Sequence, residues 1–248
     1  LLDDGSYGML PEEWIEKYEV LAGLGTSHGD HVRFSRNQAG MLDALLASQP
    51  EVSCDERFER MRTELRTFGG ITSAEPPPGF HGSLRPYQCE GLGWLHFLQQ
   101  FRFGGCLADD MGLGKTVTVL ALLEARRTEK GGAPRASLVV APRSLLFNWK
   151  REAERFAPAL RAAEYHGSGR DEVLSSLDGF DLVLTTYGTM RRDAAALSGA
   201  EFDYVVLDEA QAIKNPDSQR ARIAKRLKAG HRIALTGTPV ENRLQELW

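Results

Sequence analysis

The sequence predicts an α/β fold in which a parallel central sheet carries helices on both faces. Short apolar runs alternate with amphipathic helical segments from residue 105 onwards, an order typical of parallel sheets. Runs such as 204–207 are apolar at adjacent positions, which suits strands buried on both sides. The 248 residues are 42% hydrophobic and 26% charged, an ordinary globular composition with room for one large domain and a small addition.

Six strands are predicted, each a short apolar run bounded by Gly, Pro or polar residues. They span 105–108, 138–141, 162–165, 182–185, 204–207 and 232–235. In parallel sheets, ligands bind at the carboxyl ends of the strands. The residues that follow each strand are therefore the first candidates for a functional site.

The chain divides at a proline-rich stretch. Residues 72–83 include three prolines and a glycine at 76–79. These residues disfavour a helix, and the prolines lack the backbone N–H groups that pair strands in a sheet, so we predict a linker there. Residues 1–71 are interpreted as an acidic, mainly helical flanking segment, and 84–248 as the main lobe. The helices predicted in the flanking segment begin at Pro11 and span 37–47 and 55–68. Because the chain begins at Leu1 without a leader, we expect a longer parent protein.

Composition also limits the classes of partner. The net charge is −4, but residues 1–60 hold 5 Lys and Arg against 12 Asp and Glu, which leaves a mildly basic remainder. Such a body can bind nucleic acid through a local patch, since phosphate contacts need only a few donors. The apolar runs are far shorter than the roughly 20 residues that cross a bilayer, so we expect no membrane partner. Three cysteines without CxxC spacing favour a reducing, intracellular location.

The residues after the first strand, 109–116, predict a phosphate-binding loop. Glycines let the backbone N–H groups wrap a phosphate, and the N-terminus of the following helix adds positive potential. Lys115 would reach the terminal phosphates and Thr116 would offer a hydroxyl to Mg²⁺. Asp109 replaces the first glycine of the GxxxxGK[ST] pattern, so a plain strand-to-helix turn is the alternative. The predicted binding residues are Asp110, Met111, Gly112, Leu113, Gly114, Lys115 and Thr116.

Two adjacent acids follow the strand at 204–207. Asp208 would hold Mg²⁺ through its water shell, and Glu209 is placed to polarise an attacking water as general base. By itself, an acid pair after a strand is more often the N-terminal acid pair of a helix than a catalytic pair. The presence of the phosphate loop makes the catalytic interpretation the favoured one. We therefore predict Lys115 and Glu209 as catalytic residues, and Thr116 and Asp208 as metal ligands.

These motifs resemble those of the Swi/Snf-type DNA translocases, ATPases of helicase superfamily two. Residues 109–116 and 208–216 are similar to motifs I and II of that family. Three further stretches follow the family's order: 84–94 resembles the glutamine motif, 140–149 motif Ia and 235–242 motif III. The resemblance implies a RecA-like ATPase lobe of a bacterial-type member that uses ATP and Mg²⁺ and moves along double-stranded DNA. It also implies the bacterial cytoplasm, in association with the nucleoid.

The resemblance assigns roles to individual residues. Gln88 is implied to read adenine, with Arg85 nearby, since an amide offers both donor and acceptor. The implied contacts to the DNA backbone are Arg143, Ser144, Asn148, Thr186 and Tyr187. The residues implied to couple nucleotide state to DNA grip are Thr236, Gly237 and Thr238. The threonine hydroxyls would bond Asp208 or Glu209 in one nucleotide state and release them in another. Structural alternatives are a plain turn for motif III and a common strand end at 185–187. Trp149 is interpreted as core.

Several features qualify the resemblance. Asp110 stands where the family usually has Glu, and Gln211 where many members have His. The resemblance implies a second RecA-like lobe after Trp248 as partner, and a DNA-bound protein complex as a possible target. Without the arginines of that lobe we expect the chain alone to be nearly inactive, since an arginine finger contributes about 10³-fold or more. The basic helix near 219–228 is interpreted as a solvated face, with a DNA patch as the alternative.

Two rival functions are weighed. An RNA helicase of the same superfamily is disfavoured by Gln211, where such enzymes have Asp, and by the Thr-Gly-Thr of motif III. A non-hydrolysing scaffold is disfavoured because Lys115, Asp208 and Glu209 are all intact.

Overall fold

The computed structural model describes residues 26–28, 31–34, 38, 42–44, 54–129 and 135–238. The chain forms two compact units, with the boundary between Gly70 and Ile71. Among the described residues, no helix combines the length and the apolar character that a membrane crossing needs.

The first unit contains an antiparallel strand pair and a helix. The strands are β1 (Thr26–His28) and β2 (His31–Arg33), and the helix is α1 (Glu56–Thr67). Asp55 caps α1 by accepting a hydrogen bond from the Phe58 N–H at 2.8 Å. The helix agrees with the one predicted over 55–68, whereas the strand pair lies in a segment predicted to be mainly helical.

Two other predicted helices of the first unit fall largely outside the described residues. The helix predicted from Pro11 lies wholly outside them. Of the helix predicted over 37–47, positions 38 and 42–44 are described, and 42–44 are helical.

The second unit is built on a six-stranded parallel sheet. Its strands are β3 (Gly105–Leu107), β4 (Ser137–Ala141), β5 (Ala162–Tyr165), β6 (Leu182–Thr186), β7 (Glu201–Asp208) and β8 (Lys228–Leu235). The strand order is β3-β8-β7-β4-β6-β5, and every neighbouring pair is parallel. The predicted α/β fold class is thus confirmed, and each of the six predicted strands is present.

Helices follow the strands and cover both faces of the sheet. They are α2 (Pro86–Phe101), α3 (Lys115–Thr128), α4 (Arg143–Phe156), α5 (Arg170–Ser175), α6 (Tyr187–Arg192), α7 (Ala194–Gly199) and α8 (Gln219–Arg226). On β4, Val139 and Ala141 pack into a core with α2, α3 and α4. Leu138 and Val140 of the same strand pack into a second core with α6, α7 and α8. The strand is therefore buried on both sides, as its continuous apolar run predicts.

The segment predicted as a linker, 72–83, belongs to the second unit. It packs on α2 and α4 through irregular backbone: the Ala74 N–H donates to the Cys89 carbonyl at 2.9 Å. Phe80 is buried, and its ring stacks on Phe156 with centroids 5.8 Å apart. The prolines exclude regular structure here, but the apolar residues between them still bury against the lobe.

A half-buried histidine predicts acid sensitivity of the second unit. His231 on β8 stacks on Tyr204 of β7, with ring centroids 4.7 Å apart. Burial lowers the pKa of His231, and the charges of Asp203 and Arg126 act on it in opposite directions. Because the folded pKa lies below the ordinary value of about 6.5, the unfolded chain takes up the proton first. The associated stability is complete above that value and is lost as the pH falls through the folded pKa.

We therefore expect the urea midpoint of unfolding to fall between pH 7.5 and pH 5.5. His231→Phe, which keeps a ring against Tyr204, should weaken this dependence. His81→Phe is the matched control, because His81 is exposed, and it should leave the dependence unchanged. An identical pH dependence in His231→Phe and the wild type would contradict the assignment.

Candidate functional site

Five predicted motifs follow five neighbouring strands at the carboxyl edge of the sheet. The phosphate loop (109–116) follows β3, motif III follows β8 and motif II follows β7. Motif Ia follows β4, and the second predicted DNA-binding loop follows β6. The strand order therefore places the predicted nucleotide motifs on β3-β8-β7 and the predicted DNA motifs on β4-β6. The two groups meet between β7 and β4.

The phosphate loop is held in a wrapped conformation by glycine and by Lys115. Gly114 has φ +80°, a left-handed backbone that favours glycine. A Cβ there would lie 2.5 Å from Nε2 of Gln88, so a larger residue would also displace the Gln88 amide. Lys115 begins α3, and its Nζ donates to the carbonyl oxygens of Asp109 at 2.6 Å and Asp110 at 3.0 Å. The ammonium therefore lies against the loop that it is predicted to serve.

The remaining loop residues line the same turn. Gly112 also has positive φ, +82°. Asp110 and Met111 are exposed, with 72% of Met111 accessible, while Leu113 and Thr116 are half-buried. Thr116 is the second residue of α3, at the helix N-terminus where the backbone N–H groups favour an anion.

Gln88 connects the glutamine motif to the phosphate loop. Its Oε1 accepts from the Arg85 N–H at 2.9 Å, and its Nε2 donates to the Leu113 carbonyl at 3.0 Å. The Tyr87 hydroxyl donates to the same carbonyl at 3.0 Å. An amide has two N–H donors and two acceptor lone pairs, so one of each remains for a base. Arg85 is exposed beside it.

Asp208 is the most buried of the predicted metal ligands, with 7% exposure. Its Oδ2 accepts from Nε1 of Trp149 at 2.8 Å and its Oδ1 from the Glu209 N–H at 2.9 Å. Burial raises the pKa of the Asp208 carboxyl, and the charge of Lys115 acts to lower it. The phosphate-loop lysine thus lies within electrostatic reach of the carboxylate at the end of β7.

Glu209 takes a backbone conformation that is unusual for its residue type. Its φ of 51° and ψ of 56° are left-handed, which costs a non-glycine residue about 1–2 kcal/mol. This turn ends β7 and begins a short 3₁₀ helix at Ala210–Ile213. Strained residues of this kind cluster at functional sites because the surrounding structure must hold them.

Motif III reaches motif II through Gln211. The Gln211 Nε2 donates to Oε2 of Glu209 at 2.6 Å, and its Oε1 accepts from the Thr236 hydroxyl at 3.1 Å. Thr236 also accepts from the Thr238 N–H at 3.1 Å. The Gln211 amide thus joins Thr236 to Glu209, and a direct bond from the threonine hydroxyls to Asp208 or Glu209 in one nucleotide state stays a prediction. Gly237 lies beside the phosphate loop, since a Cβ there would be 3.2 Å from Cγ of Met111.

Three of the predicted DNA contacts share one exposed surface of α4. Arg143, Ser144 and Asn148 are all exposed. Phe147 beside them is 68% exposed, with the Arg151 guanidinium 5.9 Å from its ring centroid. The surface therefore offers cations, hydroxyl and amide groups, the donors that phosphate oxygens accept.

The other two predicted DNA contacts have different surroundings. Thr186 is half-buried and caps α6, its hydroxyl accepting from the Thr189 N–H at 3.0 Å. Tyr187 is only 5% exposed, and its hydroxyl donates to the Asp208 carbonyl at 2.8 Å. The structure thus places Tyr187 in the interior and not on the surface predicted to face DNA, because its ring packs in the core with α8.

Two residues of the site were not predicted to take part in it. Trp149 is buried, as predicted, but its indole N–H also bonds Asp208. Gln211 was noted only as a departure from the family pattern. Sequence distance hides both contacts: Trp149 and Asp208 are 59 positions apart, and only the adjacency of β4 and β7 brings them together.

Residues 87–248 match the family model of the SNF2-related domain, which is more than half of the chain. The chain belongs to the SNF2-related domain family. This membership confirms the resemblance seen in the sequence.

Curated relatives of this SNF2-related chain include YwqA of Bacillus subtilis (strain 168), whose name gives ATP-dependent helicase/translocase as a proposed activity. It is 46% identical over 211 residues, 84% of this chain and 23% of the relative. The uncharacterized ATP-dependent helicase MG018 of Mycoplasma genitalium is 44% identical over 169 residues, 67% of this chain and 16% of the relative. The chain thus spans less than a quarter of either relative.

A solved structure has the same fold as the SNF2-related chain. The Sulfolobus solfataricus SWI2/SNF2 ATPase core in complex with dsDNA superimposes with a TM-score of 0.65 and 44% sequence identity. The match covers 71% of this chain and 36% of that chain. The RecA-like interpretation of the parallel sheet is confirmed.

Proposed function

We propose that this SNF2-related chain is the first ATPase lobe of a double-stranded DNA translocase. The observation that carries the proposal is the strand order β3-β8-β7, which places the Lys115 phosphate loop and the buried Asp208 carboxylate at the same edge of the sheet with one strand between them. The predicted DNA motifs follow β4, the neighbour of β7, and β6, the next strand beyond β4. The names of the relatives and the DNA complex of the Sulfolobus core support the same function.

The residues present fit ATP with Mg²⁺. Lys115 and the N-terminal N–H groups of α3 would hold the phosphates, and Gln88 and Arg85 the adenine. Thr116 and Asp208 would hold the metal, since hydroxyl and carboxylate oxygens are the ligands that Mg²⁺ prefers. Each Asp208 oxygen accepts a hydrogen bond, and a carboxylate oxygen has a further lone pair for a metal-bound water. When bound, the metal would neutralise charge on the phosphates.

Glu209 would orient the attacking water and take up its proton. Gln211 bonds only Oε2 of Glu209, so Oε1 is the oxygen proposed to accept the proton. The left-handed backbone fixes the direction in which the side chain leaves the strand. A movement of the Glu209 carboxylate would be transmitted to Thr236 through the Gln211 amide. This transmission is the coupling role proposed for motif III.

The DNA partner is proposed to lie on α4 and at the start of α6. Arg143, Ser144, Asn148 and Thr186 would contact phosphates and sugars, which fix register without reading sequence. The second RecA-like lobe of the same protein is the proposed partner that completes the site. A protein complex bound to DNA is the proposed target, and the bacterial cytoplasm the proposed location.

The test is ATP turnover of the full-length protein with duplex DNA, single-stranded DNA and RNA. We expect duplex DNA to give the strongest stimulation. Stronger stimulation by RNA would favour an RNA helicase, and nucleotide binding without turnover would favour a scaffold. Residues 1–248 alone should show almost no turnover, because the arginines of the second lobe are absent from them; DNA-stimulated hydrolysis by that piece would contradict this expectation.

A further inference from the structure

Two helices that carry predicted DNA contacts, α4 and α6, each contain a buried aromatic residue that donates a hydrogen bond to Asp208. Nε1 of Trp149, on α4, donates to the Asp208 carboxylate at 2.8 Å. The hydroxyl of Tyr187, at the start of α6, donates to the Asp208 backbone carbonyl at 2.8 Å. Trp149 is 1% exposed and Tyr187 5%. One bond therefore fixes the carboxylate and the other fixes the end of strand β7.

The residues that directly precede these donors in the chain are among those predicted to contact DNA. Asn148 directly precedes Trp149, and Thr186 directly precedes Tyr187. A displacement of α4 or α6 by a ligand on its surface would therefore move a group bonded to Asp208. The strand order supports this, because α4 follows β4, the neighbour of β7, and α6 follows β6, the next strand beyond β4.

Burial alone does not explain these two bonds. Tyr204 is as deeply buried as Trp149 and Tyr187, yet its hydroxyl makes no hydrogen bond within the part of the chain that the structure describes. Trp149 and Tyr187, in contrast, lie 59 and 21 positions from Asp208 and converge on it. Hydrogen bonds inside a low-dielectric core strengthen one another and hold a group in one orientation. Two such bonds to Asp208, a predicted metal ligand, would fix the position of its carboxylate.

We propose that Trp149 and Tyr187 are positioning residues through which DNA contact controls the placement of Asp208, and thereby the rate of ATP hydrolysis. This inference rests on the proposed function. Coupling between two sites requires an element whose arrangement both sites bias. Here that element is Asp208 at the end of β7, held from the DNA side by two bonds and facing the nucleotide on its other side.

The experiment uses Trp149→Phe and Tyr187→Phe in the full-length protein, with duplex DNA as the probe. The measured quantities are the ratio of DNA-stimulated to basal turnover and the DNA concentration for half-maximal stimulation. We expect each variant to lower the ratio by about 10-fold or more, the effect of losing one bond to a charged or buried group. The half-maximal DNA concentration should change by less than about twofold.

Two comparisons sharpen the result. Tyr165→Phe is the matched control, because it removes the hydroxyl of another buried tyrosine, whose pKa responds to the charge of Asp193 and not to that of Asp208. It should leave the ratio unchanged. The Trp149→Phe, Tyr187→Phe double variant should lower the ratio by much less than the product of the single effects, because both bonds act on one residue.

An unchanged ratio in both single variants, or a fall in DNA affinity that accounts for the lost stimulation, would overturn the inference. If wild-type turnover shows no response to DNA, the proposed function itself fails. If a variant does not fold, the ¹⁵N resonance of the Trp149 indole in the wild-type protein decides instead. It should shift when duplex DNA is added, and an unmoved resonance at saturating DNA would overturn the inference.

Discussion

Replacing Lys115 by alanine should reduce ATP turnover of the full-length protein by about 10²–10³ or more, the usual loss when one charged donor is taken from a developing phosphate charge. In the structure the ammonium is held over the phosphate loop by the carbonyl oxygens of Asp109 and Asp110. It also lies within electrostatic reach of Asp208. Alanine removes this charge while leaving the glycines of the loop in place. Nucleotide binding and steady-state hydrolysis, both with saturating duplex DNA, are the measurements.

Two further variants are compared with Lys115→Ala, one as a control for the loss of a lysine and one that separates nucleotide binding from hydrolysis. Lys228→Ala removes an exposed lysine at the start of β8, at the opposite edge of the sheet, and should leave turnover unchanged. Glu209→Gln should keep nucleotide affinity and lose turnover, because an amide cannot take up the proton from water. Normal hydrolysis in Lys115→Ala would refute the assignment of 109–116 as a phosphate loop.

The largest effect on stability is expected for Gly93→Ala, within α2. A Cβ at this position would lie 1.9 Å from the Thr72 carbonyl oxygen and 2.9 Å from its carbon. That backbone cannot move away cheaply, since Ala74 is hydrogen-bonded to Cys89 of the same helix. Forcing extra atoms into such a contact costs about 1–3 kcal/mol. The urea midpoint of unfolding should fall accordingly.

Gly91→Ala, two positions earlier on the same helix, provides the control. A Cβ there would lie 3.6 Å from Cγ2 of Thr118, an ordinary contact. Alanine should therefore stabilise the protein by about 0.5–1 kcal/mol through its better helix propensity. The two substitutions are thus expected to have opposite signs, and a stabilising Gly93→Ala would show that 71–83 does not pack on α2 as described.

The six strands could be predicted from the sequence because strands that are buried on both faces have apolar residues at adjacent positions, as in 204–207. The prediction underestimated β7 and β8, which extend to Glu201 and Lys228. Those added residues lie at the amino ends of the strands, where polar side chains reach solvent and interrupt the apolar run. Backbone pairing in the interior of the sheet continues past the apolar pattern, so the pattern alone shortens the strands.

The phosphate loop and the acid pair were predictable because their chemistry is local in sequence. The links between motifs were not. Tyr187 reads as a strand-end residue open to DNA, and only its burial against the second core turns its hydroxyl toward Asp208. Gln211 reads as an exchange for histidine, yet its amide spans Glu209 and Thr236 because it carries a donor and an acceptor.

The left-handed turn at Glu209 has a consequence for anyone engineering a more heat-resistant variant. Glycine would fit that backbone without penalty, so a search guided by thermostability alone would favour glycine at this position. The same exchange deletes the carboxylate proposed to activate water. At this residue a strained backbone accompanies a carboxylate proposed for catalysis. A substitution that relieves the strain and raises stability would therefore lower activity.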